Sequence, residues 1–191
     1  MPSLTERAAF GEEPGRWPLP TPASDDELWL CAVAEGGQGR YAAARSRLTE
    51  LAIREPTGRL GSLALSTHAS FLRQLGWHQR ARGWDGRAWA CAGGDPEAGV
   101  DALIGLAADA LGVGRLALST ALLTRAAGLL VRADAPPRRL AIRLEWVRAE
   151  LAMACSDGSS AVCFARRGVD LAERALPALR RHRVKSDVVL A

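Results

Sequence analysis

The chain is poor in aromatics and nearly devoid of lysine. Aromatic residues fill 5% of its 191 positions, and Lys185 is the single lysine among 25 basic Lys and Arg residues. Ala and Leu dominate the apolar set instead. Small and straight-chain residues favour closely packed helices over sheets, which draw on Val, Ile, Thr and aromatics. The near-absence of lysine beside abundant Arg, Ala and Gly reflects a GC-rich genome, so the arginine count is a poor functional clue. Long hydrophobic runs are also missing. No stretch reaches the roughly 18 uninterrupted apolar residues of a membrane span. The opening "MPSLTERAAFGEEPGRWPLPTP" has no basic start followed by an apolar run, so it is not a secretory signal. Four cysteines (Cys31, Cys91, Cys155, Cys163) lie far apart in apolar helical settings. They read as buried structural thiols of a reducing, cytoplasmic protein rather than a disulfide framework.

Charge of one sign is scarce too. The net charge is +4, with residues 1–100 at −1 and residues 101–191 at +5. That basic lean in the second half is too weak by itself to argue for nucleic acid.

What is present is helical punctuation. Residues 1–23 carry five prolines and no apolar period, and read as a mobile or extended leader that Trp17 and Leu19 could pin onto the body. From Ser24 onward, "SDDELWLCAVAEGG" offers an N-cap serine, three acids in the first turn and a Gly pair to stop. "GRYAAARSRLTELAIREP" follows, with Leu48, Leu51 and Ala52 at i, i+3 and i+4, and Tyr41 and Ala44 extending the stripe. Further helical segments are expected at 60–75, 77–92, 96–112, 115–132, 137–156 and 159–176. The breaks are Gly76, "GGDP" at 93–96, "GVG" at 112–114, "APP" at 135–137 and "SDGS" at 156–159. No segment alternates with period two for long enough to make a strand. Short connectors force antiparallel neighbours. The expectation is an all-α domain over 24–191, made of about eight helices stacked as antiparallel hairpins.

The series Gly39, Tyr41, Ala44, Leu48, Leu51, Ala52 and Pro56 resembles the tetratricopeptide repeat, a 34-residue helix–turn–helix unit. The glycine closes the turn, Ala44 lets two helix backbones approach, and Pro56 ends the second helix. The first half of that unit lacks the family's final aromatic. Gly76, Gly114 and roughly Ser160 mark weaker later units, at periods above 34.

Signatures of chemistry are missing as well. The sequence has no phosphate-binding glycine loop, no H-E-x-x-H and no G-x-S-x-G. His68, His78 and His182 are isolated and read as capping or surface residues; neither a metal site nor a cofactor is expected. In "GWHQRARGWDGRAW", Trp77, Trp84 and Trp89 are expected to seal a hairpin, with Arg80, Arg82 and Arg87 in solvent. The run "RRHRVK" (180–185) is expected to be a solvated face.

In tetratricopeptide proteins the first helix of each hairpin lines a concave groove. The resemblance therefore implies a groove of Asp26, Trp29 and Val33; Leu63, Ser66, Ser70 and Arg73; Asp101, Ile104 and Ala108; and Arg143, Val147, Glu150 and Ala154. Arg73 and Arg143 would clamp a carboxylate, because guanidinium forms paired hydrogen bonds with it. Small side chains in this set also leave room for the groove to be filled by the protein's own next helix or by the leader. The function this implies is a non-catalytic scaffold that binds a protein or peptide partner. The alternatives are a nucleic-acid-associated regulatory protein using the basic second half, and a structural segment of a longer repeat array. The apolar ending "VKSDVVLA" suggests stacking on a further unit, packing as a short final helix, or self-association.

Overall fold

Ten helices occupy the described residues of this computed structural model, which are 2–133, 137–175 and 179–191, with no strand among them. They are α1 (Leu4–Ala9), α2 (Asp25–Gly37), α3 (Tyr41–Arg54), α4 (Gly58–Gln74), α5 (His78–Cys91), α6 (Pro96–Gly112), α7 (Leu116–Arg132), α8 (Arg138–Ala154), α9 (Gly158–Glu173) and α10 (Arg180–Leu190). The eight expected segments are α2 to α9, each within about two residues at the ends that can be compared. The break expected at 135–137 lies, Pro137 apart, outside the described residues, as does the expected end at 176. The two additional helices are α1 and α10.

Caps explain the starts. Ser24 accepts from the Glu27 N–H at 3.2 Å, as its position before three acids requires. Asp95 accepts from Ala98 at 2.8 Å, with Pro96 at the first helical position, where its missing N–H costs nothing.

One turn is built four times. Gly39, Gly76 and Gly114 have φ of 77°, 78° and 74°, and Ser156 takes the same left-handed role at 59°. In each case the next residue donates its N–H five positions back: Arg40 to Glu35, Trp77 to Leu72, Arg115 to Ala110 and Asp157 to Ala152, at 2.8–2.9 Å. This is the Schellman closure of a helix C-terminus. The fourth turn residue is therefore Ser156 rather than the expected Ser160. Five residues after each turn stands a small buried residue, Ala44, Ala81, Ser119 or Ala161. Ser119 is tolerated because its hydroxyl donates to the Ala107 carbonyl at 2.9 Å. Nine residues after the turn come Leu48, Asp85, Leu123 and Ala165. Asp85 breaks the apolar rule.

The even-numbered helices form one continuous layer, α2 on α4 on α6 on α8 on α10. The odd helices α3, α5, α7 and α9 pack behind it, each against the even helices on either side in sequence. Such stacking buries one apolar face per hairpin against the next, and the core divides accordingly. One cluster joins Leu28, Leu48, Leu51 and Leu63, and a second joins Leu103, Leu123, Leu140 and Leu144. Close approach of α2 and α4 depends on Gly36, where any Cβ would overlap the Phe71 ring.

The leader departs from expectation. Residues 4–9 are helical, because Ser3 and Glu6 form a capping box: Glu6 donates its N–H to the Ser3 hydroxyl and its carboxylate accepts from the Ser3 N–H. Ala8 and Ala9 bury against α2, and Phe10 lies 5.9 Å from Trp29, ring centre to ring centre. The opposite end of the fold meets the same segment. Arg181 of α10 donates its backbone N–H to the Phe10 carbonyl at 3.0 Å and its guanidinium to the Ala9 carbonyl at 3.2 Å. The even layer thus curls until its last helix touches the leader that covers its first.

Candidate functional site

Inside that curl lies a cavity of about 420 Å³. Trp29 and Val33 of α2, Ser66, Ser70 and Phe71 of α4, Asp101 of α6 and Arg139, Arg143 and Trp146 of α8 line it. Phe10 comes from the leader, and Arg181, His182 and Lys185 come from α10. Six of the residues implied by the repeat resemblance, Trp29, Val33, Ser66, Ser70, Asp101 and Arg143, come together here. Their common origin is helical phase: each projects from the inner face of an even helix.

The floor is a charged network centred on Asp101, which is 4% exposed. Its carboxylate accepts from Ser66 Oγ at 2.8 Å, Arg139 Nη1 at 3.1 Å and Arg143 Nη1 at 2.5 Å. Arg139 continues to Glu97 at 2.7 Å, Glu97 accepts from Arg59 at 2.5 Å, and Arg59 reaches Asp26 at 2.7 Å. Burial alone would raise the Asp101 pKa, but Arg143 and Arg139 beside it hold the carboxyl well below the usual range. The Arg139 guanidinium also sits 5.3 Å from the Trp29 ring centre, and Trp29 Nε1 donates to Thr67 Oγ1 at 2.9 Å.

The remaining implied residues lie elsewhere. Asp26 is exposed and taken up by Arg59. Val147, Leu63 and Ile104 point into the core, because their helices are enclosed on more than one face. Ala108 packs against the second core cluster, and Ala154 is exposed near the end of α8. Glu150 pairs with Lys185 at 3.1 Å at the edge of the cavity. Arg73 is not a groove clamp. It is turned between α4, α5 and α6, where it donates to Asp85 and, at 3.2 Å, to Asp109. Both carboxylates are fully buried. Burial raises the pKa of each, and Arg73 offsets this only in part. Gly105 admits the Asp85 carboxylate, since a Cβ there would collide with it.

Several other expectations are corrected. The run 180–185 is not one solvated face: Arg180 is exposed, but Arg181 turns inward, His182 is 7% exposed, and Arg183 pairs with Glu173 and Asp187. Cys31 is buried, whereas Cys155 and Cys163 are exposed. Trp89 packs against two of the core clusters and Trp84 packs against the tilted His68 ring, centres 4.4 Å apart, as sealing residues do. Trp77 is instead half exposed under Arg80. Val184 and Val188 form an exposed apolar stripe on α10.

His182 is the cavity residue whose protonation matters most. It contacts Phe10 and stacks on Trp146, with ring centres 5.5 and 5.3 Å away, and Arg139, Arg143 and Arg181 surround it against the single acid Asp101. Burial, with those three cations, lowers its pKa from 6.5 to about 3. The folded protein keeps it neutral while the unfolded chain takes up a proton below pH 6.5. Its contribution to stability is thus full above that pH and is lost as pH falls toward 3. His182→Phe keeps the ring contacts and removes the titration. Urea unfolding at pH 7 and pH 5 should show the variant gaining about 2 kcal/mol on the native protein over that interval. An unchanged difference at the two pH values contradicts a buried neutral His182.

Phe10, Thr67, Phe71, Gln74, Arg139, Trp146, Arg181, His182 and Lys185 are the cavity residues that periodicity did not reveal. Trp146 carried a usable signal, since it stands ten residues before its turn residue just as Trp29 does. Phe10 and Arg181 had none, because their meeting depends on the curvature of the whole stack. Among the described residues no group of three or more His, Cys, Asp or Glu is placed to hold a metal ion. No family model, curated protein or solved structure matches the chain.

Proposed function

We propose that the chain is a non-catalytic, tetratricopeptide-like binding protein, acting in the cytoplasm, that holds an anionic segment of a partner protein in its inner cavity. The observation that carries this reading is the convergence of Trp29, Val33, Ser66, Ser70 and Arg143 on one cavity whose lining has four cationic residues and a single acid. Aromatic walls supply apolar contact area at small entropic cost, and guanidinium groups supply directed hydrogen bonds to carboxylates. A scaffold needs both.

The test is affinity capture from native cell extract with the native protein and with Ser70→Phe, after matching their helicity and monodispersity. The added ring fills the cavity without altering a charge. A protein held by the native form and released by Ser70→Phe supports the reading. The same protein held by both forms overturns the cavity as its binding surface. Recovery of nuclease-sensitive material alone transfers the case to nucleic acid.

A further inference from the structure

The cavity has an electrostatic asymmetry that the fold itself does not resolve. Asp101 already serves Arg139 and Arg143, and Glu150 serves Lys185. Arg181 is different. Its guanidinium lines the cavity, donates to the Ala9 carbonyl and, among the described residues, pairs with no carboxylate. Beside it, Nδ1 of His182 is buried and has no hydrogen-bond partner. A partly buried cation without a counter-charge and a buried ring nitrogen without a partner are both costly. Burial lowers even the Arg181 pKa, as expected for a guanidinium that lacks its anion.

We propose that this end of the cavity is an anion site, completed by the two ends of the fold, which takes a carboxylate or phosphate carried on a flat apolar body. Arg181 donates to the anion, and Arg143 of α8 supplies a second guanidinium. Trp146, Trp29 and Phe10 enclose the apolar body. A volume of about 420 Å³ suits a compact ligand of this kind. The inference rests on the cavity being the binding surface. The chemistry can be brought by a side chain of the partner or by a free organic acid.

Indole-3-acetate, with indole-3-acetamide as its neutral isostere, probes the site by calorimetric titration of the full chain. The expected result is submillimolar binding of the acid and at least about tenfold weaker binding of the amide, the value of one charge-assisted hydrogen bond. Arg181→Met keeps the apolar stem and should lose at least about tenfold. Ser70→Phe, with every charge retained, should abolish binding. Arg180→Met, the same change one residue away on the solvent side, should bind as the native protein does. No binding of the acid at millimolar concentration, equal affinity for the amide, or undiminished binding by Arg181→Met and Ser70→Phe each overturns the proposal. If the probe fails while Ser70→Phe still releases a captured partner, the anion site falls and the protein-binding reading stands. Displacement of that partner by the probe assigns the anion to the partner. Binding without displacement assigns it to a free acid.

Discussion

Asp101→Asn should lower the unfolding free energy by about 3–5 kcal/mol at pH 7, the usual cost of removing one member of a buried ion group. The reason is positional. Asp101 is the counter-charge for two guanidiniums from the next inner helix, and it stands between Ser66 of α4 and Arg139 and Arg143 of α8. An amide in its place leaves Arg143 without an anion and Arg139 with Glu97 alone. The neighbouring Ser66→Ala removes one hydrogen bond and should cost only about 1 kcal/mol. The pH dependence adds a second check. A carboxylate held below its unfolded pKa stabilises the fold fully above that unfolded value and ceases to do so as pH falls through the folded one. The advantage of the native protein over Asp101→Asn should therefore be full at pH 7 and shrink below about pH 4. Urea unfolding at several pH values measures both. A loss under about 1 kcal/mol at pH 7 would mean that the network holds no more than a surface ion pair does.

Arg73→Met should cost as much, and its cost should likewise shrink as pH falls, but over a higher pH range. Its removal leaves Asp85 and Asp109, both 0% exposed, without the guanidinium they share, and the nearest other cationic candidate is His78 Nδ1 at 3.9 Å from Asp109. These carboxyls already have raised pKa values, and the substitution raises them further. A carboxyl that keeps its proton in the fold but loses it when unfolded makes stability fall as pH rises from the unfolded pKa through the folded one. The substitution should then cost about 3–5 kcal/mol at pH 8 and progressively less toward pH 5. The change amounts to about 1.4 kcal/mol per pH unit for each carboxyl that is protonated in the variant but ionised in the native protein, and it levels off where the native carboxyl is protonated too. Adding Asp85→Leu should restore much of the loss, because Leu48 and Leu123 occupy the same position in two other hairpins and buried ion pairs are often replaceable by packed apolar groups. A cost that does not vary between pH 8 and pH 5 would show that Arg73 acts by packing rather than charge.

Asp85 also shows how far local pattern reaches. By position it belongs to the apolar stripe, and nothing in "GWDGRAW" says that a guanidinium from the previous helix will meet it. That guanidinium, Arg73, is on a helix face whose neighbours are settled only when α4, α5 and α6 pack together. Arg143 was recognisable as a cavity residue because its helix presents the same inner face that Trp29 and Ser66 present. Both arginines fit a groove equally well by spacing. Packing separated them.

What the sequence by itself determined is local and periodic. Glycines that alone adopt positive φ cheaply, capping residues before acidic turns and the Ala and Leu stripes encode the eight main helices, their hairpin turns and the inner face shared by Trp29, Ser66, Asp101 and Arg143. These follow from interactions within one or two helical turns. The tertiary structure decided what depends on summed curvature: that the stack closes on itself, that Phe10 meets Arg181 across the length of the chain, and that Arg73 turns into the core while Arg181 faces a cavity. The small rotation at each hairpin interface accumulates over the stack, and no single helix records that sum.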